Sequence, residues 1–224
     1  MPAEARAETI WLYNTLAERG LIVGSSGNVS ARTPEGMVIT PSGGSPGAVK
    51  AFDLTNMTLD GENLGSGRPH GGRVRHTTPS SEWALHAAVY RTRPEAAFIA
   101  HTHADACTAL ACLNENLPPF HYMIVQFGGD DVRCAPYVTF GTPALADAAA
   151  AAIRGRSACL LANHGMIACG GSAADTLTRS ILLETLCRQY LLARSAGTPR
   201  LLTAQEMKDA RERFKTYGQP APAA

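Results

Sequence analysis

The sequence predicts an α/β protein, and three observations carry that prediction. Apolar residues recur at helical spacing near both ends, at Ile10, Tyr13, Leu16 and Ala17 and again at Leu177, Ile181, Leu182, Leu186 and Tyr190. Between them, short apolar runs such as Phe98–Ala100 and Ser157–Ala162 end at histidine or glycine turns, as buried strands do. The length, 224 residues, suits one substantial domain, expected over 1–218, with the Pro and Ala rich tail 219–224 frayed.

Taken in order, residues 2–19 read as a helix that Gly20 closes. The turn Gly24-Ser-Ser-Gly27-Asn28 leads into a strand, and a second strand, 36–40, ends at Pro41-Ser42-Gly43-Gly44. Two glycine and serine turns at strand ends offer the free N–H groups and hydroxyls that a phosphate needs, although each alone reads equally well as an ordinary hairpin turn. Residues 60–77, rich in glycine and arginine, read as a mobile surface loop, with His70 and His76 exposed. Thr78 to Pro94 reads as a helix with Ser80, Ser81 and Glu82 in its first turn. Its start is a natural anion site, Glu82 alone reads as a helix-start carboxylate, and His86 reads as a packed helix histidine. Helices are further expected at 104–113, 144–153, 173–196 and 203–214, with Pro143 in a tolerated first-turn position.

Composition limits the function. Hydrophobic residues make up 45% and charged residues 17%, and the net charge of +1 leaves no basic face for nucleic acid or an anionic membrane. The charged start and the absence of a long apolar run predict a cytoplasmic protein without a membrane span. Six cysteines without C-x-x-C spacing are expected to be reduced and buried.

The most informative stretch is Phe98-Ile-Ala-His101-Thr-His103. Side chains two apart on a strand point the same way, so His101 and His103 present chelate geometry for zinc or another borderline divalent ion. Taken alone, such a pair is more often a surface pair than a metal site. A catalytic zinc site takes a third protein ligand, for which His164, where an apolar strand meets Gly165, is the best candidate.

In order, the motifs Gly27-Asn28-Val-Ser, Thr40-Pro-Ser-Gly43, Pro79-Ser-Ser-Glu82, His101-x-His103, His121-Tyr122-Met, Cys134-Ala-Pro-Tyr-x-Thr-Phe140-Gly, His164-Gly165 and Phe214-Lys-Thr-Tyr217-Gly resemble the class II aldolase/adducin family over nearly the whole chain. Within it, the likeness runs to the branch that cleaves L-fuculose 1-phosphate and, beyond that, 5-deoxy- and 5-methylthio-pentulose 1-phosphates. The resemblance implies a three-layer α/β/α sandwich around a mainly antiparallel sheet. It also implies a homotetramer with active sites between subunits, acting on a small sugar phosphate. It makes His101, His103 and His164 ligands of Zn2+, or of Co2+ or Mn2+, with Glu82 both an acid/base and a metal contact. It assigns Gly27, Asn28, Ser42, Gly43, Ser80 and Ser81 to a phosphate cradle, and Tyr122 to proton transfer from a neighbouring subunit. Phe140, Phe214 and Tyr217 become aldehyde-side residues.

The chemistry agrees with these residue types. Cleaving a ketose 1-phosphate to dihydroxyacetone phosphate and an aldehyde leaves negative charge beside the ketone. Lys50, Lys208 and Lys215 are not in apolar strands where a Schiff-base amine would be expected, which leaves Lewis-acid catalysis by a metal. Departures from the family pattern are the long 60–77 segment and Val125-Gln126-Phe127, where Phe127 is expected to reshape the aldehyde pocket. The rival readings are a ribulose-5-phosphate 4-epimerase or decarboxylase of the same fold, and an adducin-like binding module, a kind that lacks the metal histidines.

Overall fold

The computed structural model describes residues 2–66, 69–70, 73–74 and 77–218. The expected tail at 219–224, His76 and the side chain of His70 lie outside the described residues. Helix α1 (Pro2–Glu18) ends where Gly20, at φ 74°, lets the chain turn and the Leu21 N–H reach the Leu16 carbonyl. Strands β1 (Gly27–Thr33) and β2 (Gly36–Ile39) form a hairpin, followed by β3 (Thr55–Met57), β4 (Asn63–Ser66) and the small hairpin β5 (Pro69–His70) and β6 (Arg73–Val74). Next come α2 (Trp83–Thr92), β7 (Phe98–Thr102), α3 (Asp105–Ala111), a 3-10 turn over Tyr122–Phe127 and β8 (Cys134–Ala135). The chain continues through α4 (Pro143–Ile153), β9 (Ala158–Leu161), β10 (Gly165–Gly170), α5 (Ala173–Ala196) and α6 (Ala204–Phe214).

Caps fix the later helices where the sequence places them. Thr142 accepts the Leu145 N–H with Pro143 in the first turn, Ser172 accepts from Asp175, and Thr203 and Glu206 cap α6 reciprocally.

Eight strands form one sheet in the order β4-β3-β2-β1-β7-β10-β9-β8, antiparallel throughout except for the parallel β8–β9 pair. Both faces are covered, so the central strands are buried along their whole length and their side chains sort by alternation. Val29, Ala31, Phe98, Ala100, Leu160 and Met166 join α1, α3 and α5 in one core. Met37, Ile39, Ile99, Leu161 and Ile167 join α2 and α4 in the other. This is the expected α/β/α sandwich.

Several expectations need correction. The 60–77 segment is not a plain loop: it carries β4 and the β5–β6 hairpin, and left-handed Gly61 and Gly65 turn the chain beside the sheet edge. A side chain at Gly61 would collide with the Trp83 ring, so this turn is packed against α2. The helix expected from Thr78 starts only at Trp83. Thr78 to Ser80 is held extended, the Ser42 N–H bonding the Thr78 carbonyl and the Ser80 N–H the Thr40 carbonyl. Phe127 is fully buried in the core on the α3 and α5 face, away from the face that carries His101, so it does not shape a pocket there. Of the cysteines, Cys112 is exposed and Cys134 half-buried, and the other four are buried; all six are free thiols. Among the described residues no helix is long and apolar enough to cross a membrane.

Candidate active site

Sheet register builds the site. Asn28 on β1 lies opposite His101 on β7, which lies opposite Ile167 on β10, so His101 projects on the α2 and α4 face with Ile99. His103 follows just past the end of β7, and His164 sits in the β9–β10 turn after Asn163, which adopts the left-handed conformation at φ 53°. Gly165 makes this approach possible. A Cβ there would lie 2.4 Å from the Thr102 carbonyl oxygen and 3.0 Å from the His103 ring.

The three imidazoles face one another at centroid separations of 4.8 to 4.9 Å and steep mutual angles. His101 Nε2 is 3.0 Å from His103 Nε2 and 3.1 Å from Glu82 Oε2, and His164 Nε2 is 3.3 Å from Glu82 Oε1. All four ligand atoms fall within 4.8 Å of one another. His101 Nδ1 is 2.9 Å from the Met166 carbonyl, which can only accept, so Nδ1 carries a proton and Nε2 is the atom that faces the cluster and would ligate a metal ion.

The donor set fits a divalent cation. Three ring nitrogens and a carboxylate converge, and Glu82 Oε1, although buried, has no hydrogen-bond partner. Burial alone would raise the Glu82 carboxyl. His101, His164 and the Asn28 amide outweigh it and hold the group well below the usual carboxylate range. Burial, with His101 beside them, lowers the imidazoles of His103 and His164, the latter to about 4. An anionic carboxylate among neutral imidazoles is the state that binds a metal ion.

The proposed cradle residues gather beside Glu82. The Val29 N–H bonds the Thr40 hydroxyl, and the extended pairing of 78–80 with 40–42 brings Gly27, Asn28, Ser42, Gly43, Ser80 and Ser81 to one end of the sheet. Gly43 is left-handed at φ 67°, and a Cβ there would meet nothing within 4 Å, so open space adjoins this turn. Ser80 is buried, with its hydroxyl accepting the Glu82 N–H at 3.3 Å. The Asn28 side chain is engaged, donating to Glu82 Oε2 at 3.0 Å and accepting at 2.6 Å from His86.

The aromatic candidates divide. Phe140 lines the cavity of about 290 Å³ that opens onto Glu82, His103 and His164, together with Ser81, Tyr137, Val138 and Asn163. Tyr122, Phe214 and Tyr217 line a different cavity of about 510 Å³ against α6, where the Tyr122 ring lies between His121 and Phe214. The sequence reading missed Tyr137, Asn163 and the polar partners of Asn28. For Asn163 a signal was present, an asparagine immediately before the His-Gly turn, since asparagine tolerates the left-handed region.

Fold and site together define an α/β/α scaffold that carries a cluster able to hold a metal ion. The chain matches the family described as Class II Aldolase and Adducin N-terminal domain over residues 7–191, and it belongs to that family. It is 40% identical over 209 residues to the 5-methylthioribulose-1-phosphate/5-deoxyribulose-1-phosphate aldolase of Rhodospirillum rubrum, covering 92% of this chain and 90% of that one. It is also 40% identical over 203 residues to the L-fuculose phosphate aldolase of Escherichia coli, covering 89% and 88%. A solved L-fuculose 1-phosphate aldolase superposes with a TM-score of 0.86 at 37% identity, covering 95% of this chain and 97% of that one. The protein is therefore an enzyme of the class II aldolase kind.

Proposed function

We propose that the protein reversibly cleaves a ketose 1-phosphate, L-fuculose 1-phosphate or a 5-deoxy- or 5-methylthio-pentulose 1-phosphate, to dihydroxyacetone phosphate and an aldehyde. The observation that carries this reading is the convergence of His101, His103, His164 and Glu82 beside the glycine and serine turns. His101, His103 and His164, with Glu82 beside them, would hold zinc, or cobalt or manganese in its place, and the ion would supply Lewis-acid stabilisation of the charge beside the ketone.

The chain's own groups do the rest. Ser42, Gly43 and Ser81, the backbone of Gly27 and the second amide hydrogen of Asn28 hold the phosphate, which fixes where the ketone lies. In the condensation direction the Glu82 carboxylate takes a proton from the hydroxyl-bearing carbon beside the ketone. That carbon bonds to the aldehyde carbon, and the aldehyde oxygen takes a proton from the phenol of Tyr122 of a neighbouring copy of the chain. Glu82 then returns its proton to solvent and Tyr122 regains one; cleavage is the reverse. Phe140, with Phe214 and Tyr217 of the neighbouring copy, closes the aldehyde side.

A neighbouring copy is invoked because Tyr122 is half exposed and lines a cavity other than the one at the histidines. A cyclic tetramer with sites between subunits, working in the cytoplasm, fits that division.

The test is release of dihydroxyacetone phosphate from L-fuculose 1-phosphate, 5-deoxyribulose 1-phosphate and 5-methylthioribulose 1-phosphate, with added zinc and after chelation. Zinc-dependent release from any of them supports the aldolase, and the relative rates name the aldehyde. No release, with ribulose 5-phosphate converted to its 4-epimer, would replace this reading with the epimerase.

A further inference from the structure

We propose that His86 is a positioning residue for Glu82, acting through Asn28 to aim the carboxylate at the three histidines; the inference rests on the aldolase reading for its catalytic consequence. The argument is one of hydrogen-bond direction. Glu82 Oε2 accepts the bond from Asn28 Nδ2 at 3.0 Å, which turns Asn28 Oδ1 towards His86 Nε2, 2.6 Å away. A carbonyl oxygen only accepts, so His86 Nε2 must carry hydrogen. The other ring nitrogen, Nδ1, is then an acceptor, and it meets the Ser30 hydroxyl at 2.7 Å. With its hydrogen committed to His86, Ser30 Oγ accepts from the Tyr90 hydroxyl at 2.9 Å. Each member has one consistent role, and the line runs Tyr90 to Ser30 to His86 to Asn28 to Glu82.

All of it is enclosed. Ser30, His86 and Tyr90 are essentially unexposed and Asn28 is 6% exposed, so no solvent competes for these bonds. Reversing the Asn28 amide would face its oxygen to the carboxylate and its NH2 to the ring N–H, two repulsive contacts in a dry site. The His86 proton makes that reversal unfavourable. Arg32 anchors the far end, stacking on the Tyr90 ring at 4.5 Å while donating to the carbonyls of Tyr90, Arg93 and Ala96 at the end of α2. Helix α2 thus presents Glu82, His86 and Tyr90 along one face, and the sheet residues Asn28 and Ser30 interleave with them.

The experiment compares His86→Leu, which keeps bulk but no polar group, with His86→Gln, which has one amide donor and one acceptor to replace the two ring nitrogens. Two readouts are taken on the zinc-loaded full chain: exchange of solvent deuterium into dihydroxyacetone phosphate without aldehyde, and zinc affinity by chelator competition. The expected result is exchange slowed roughly 10- to 100-fold in His86→Leu and zinc affinity weakened about tenfold, both largely restored in His86→Gln. Exchange and zinc affinity unchanged in His86→Leu would overturn the proposal, as would His86→Gln behaving no better than His86→Leu. If His86→Leu does not fold, Ser30→Ala removes the hydroxyl that fixes the ring tautomer and is expected to slow exchange several-fold; an unchanged rate there overturns the proposal equally. Should the wild-type protein catalyse no exchange, the aldolase reading fails on its own. The zinc affinities still decide the positioning role, with equal values for the wild type and both variants refuting it.

Discussion

The two aromatic and polar regions near the reaction site are built on opposite plans. The histidine cluster is buried to half-buried, and its central ring, His101, is set by strand register and hydrogen-bonded at its rear to the Met166 carbonyl. On the other surface Tyr122 and Tyr217 are half to largely exposed and Phe214 is partly buried between them; the three are held by ring contacts and have no described bond to the cluster. On the proposed reading, pre-organisation is concentrated where charge must be stabilised, and the looser contacts lie on the aldehyde side.

The sharpest way to break that contrast is His103→Ala. Loss of stoichiometric zinc and of measurable turnover is expected, with a melting temperature close to that of the wild type because other residues form the sheet. Elemental analysis showing one zinc per chain in the variant would remove His103 from the ligand set. Glu82→Gln comes next: zinc stays bound while turnover falls about 10²- to 10⁴-fold, as measured with saturating substrate. A wild-type rate would return Glu82 to an ordinary carboxylate ahead of a helix.

Acid probes the buried side through His86. Burial, and then His101, push His86 down to about 3 from an ordinary 6.5, although Glu82 pulls it the other way. Unfolding frees the ring to take a proton, so the stability conferred by its neutral burial is complete above pH 6.5 and is lost as pH falls from there towards 3. Between pH 7 and 5 this amounts to about 2 kcal/mol. The unfolding free energy of the metal-free protein, from urea titrations at the two pH values, should fall less in His86→Gln by that difference, and equal declines would argue that the ring is not neutral in the fold. The smallest effect belongs to the exposed region: Tyr122→Phe should lower kcat about tenfold, roughly 1.4 kcal/mol of barrier, without changing zinc content. A fall in zinc content would show that the two regions are one.

How much of this was legible follows the same division. His101 and His103 are readable because strand geometry makes a two-residue spacing into a shared face, and His164 because a glycine turn follows it. The helix ends at Gly20, Pro143 and Thr203 were readable because caps are local chemistry. Strands β3 and β4 were not, since they are only three and four residues long and Asn56, Asn63 and Gly65 interrupt any apolar pattern. Glu82 looked like a helix-start carboxylate until the motifs were taken together, and its side chain in fact caps no N–H of α2 and bonds Asn28 instead. Phe127 was misplaced because a departure in sequence does not say which face of the sheet the residue meets. His86 and Tyr90 fall four and eight positions after Glu82, a stripe visible in the sequence, but their partner Ser30 reaches them only through the β1–β7 pairing.

The order of strands also sets a clock. β1, β7 and β10 are neighbours in the sheet although each is separated from the next by more than half a hundred residues, and pairings so distant close late and slowly in folding. A register slip of one residue between β7 and either neighbour would send His101 to the opposite layer. Tight metal capture during refolding therefore marks the moment at which the centre of the sheet has closed in register, and a metal-sensitive dye can time that event without any probe attached to the chain.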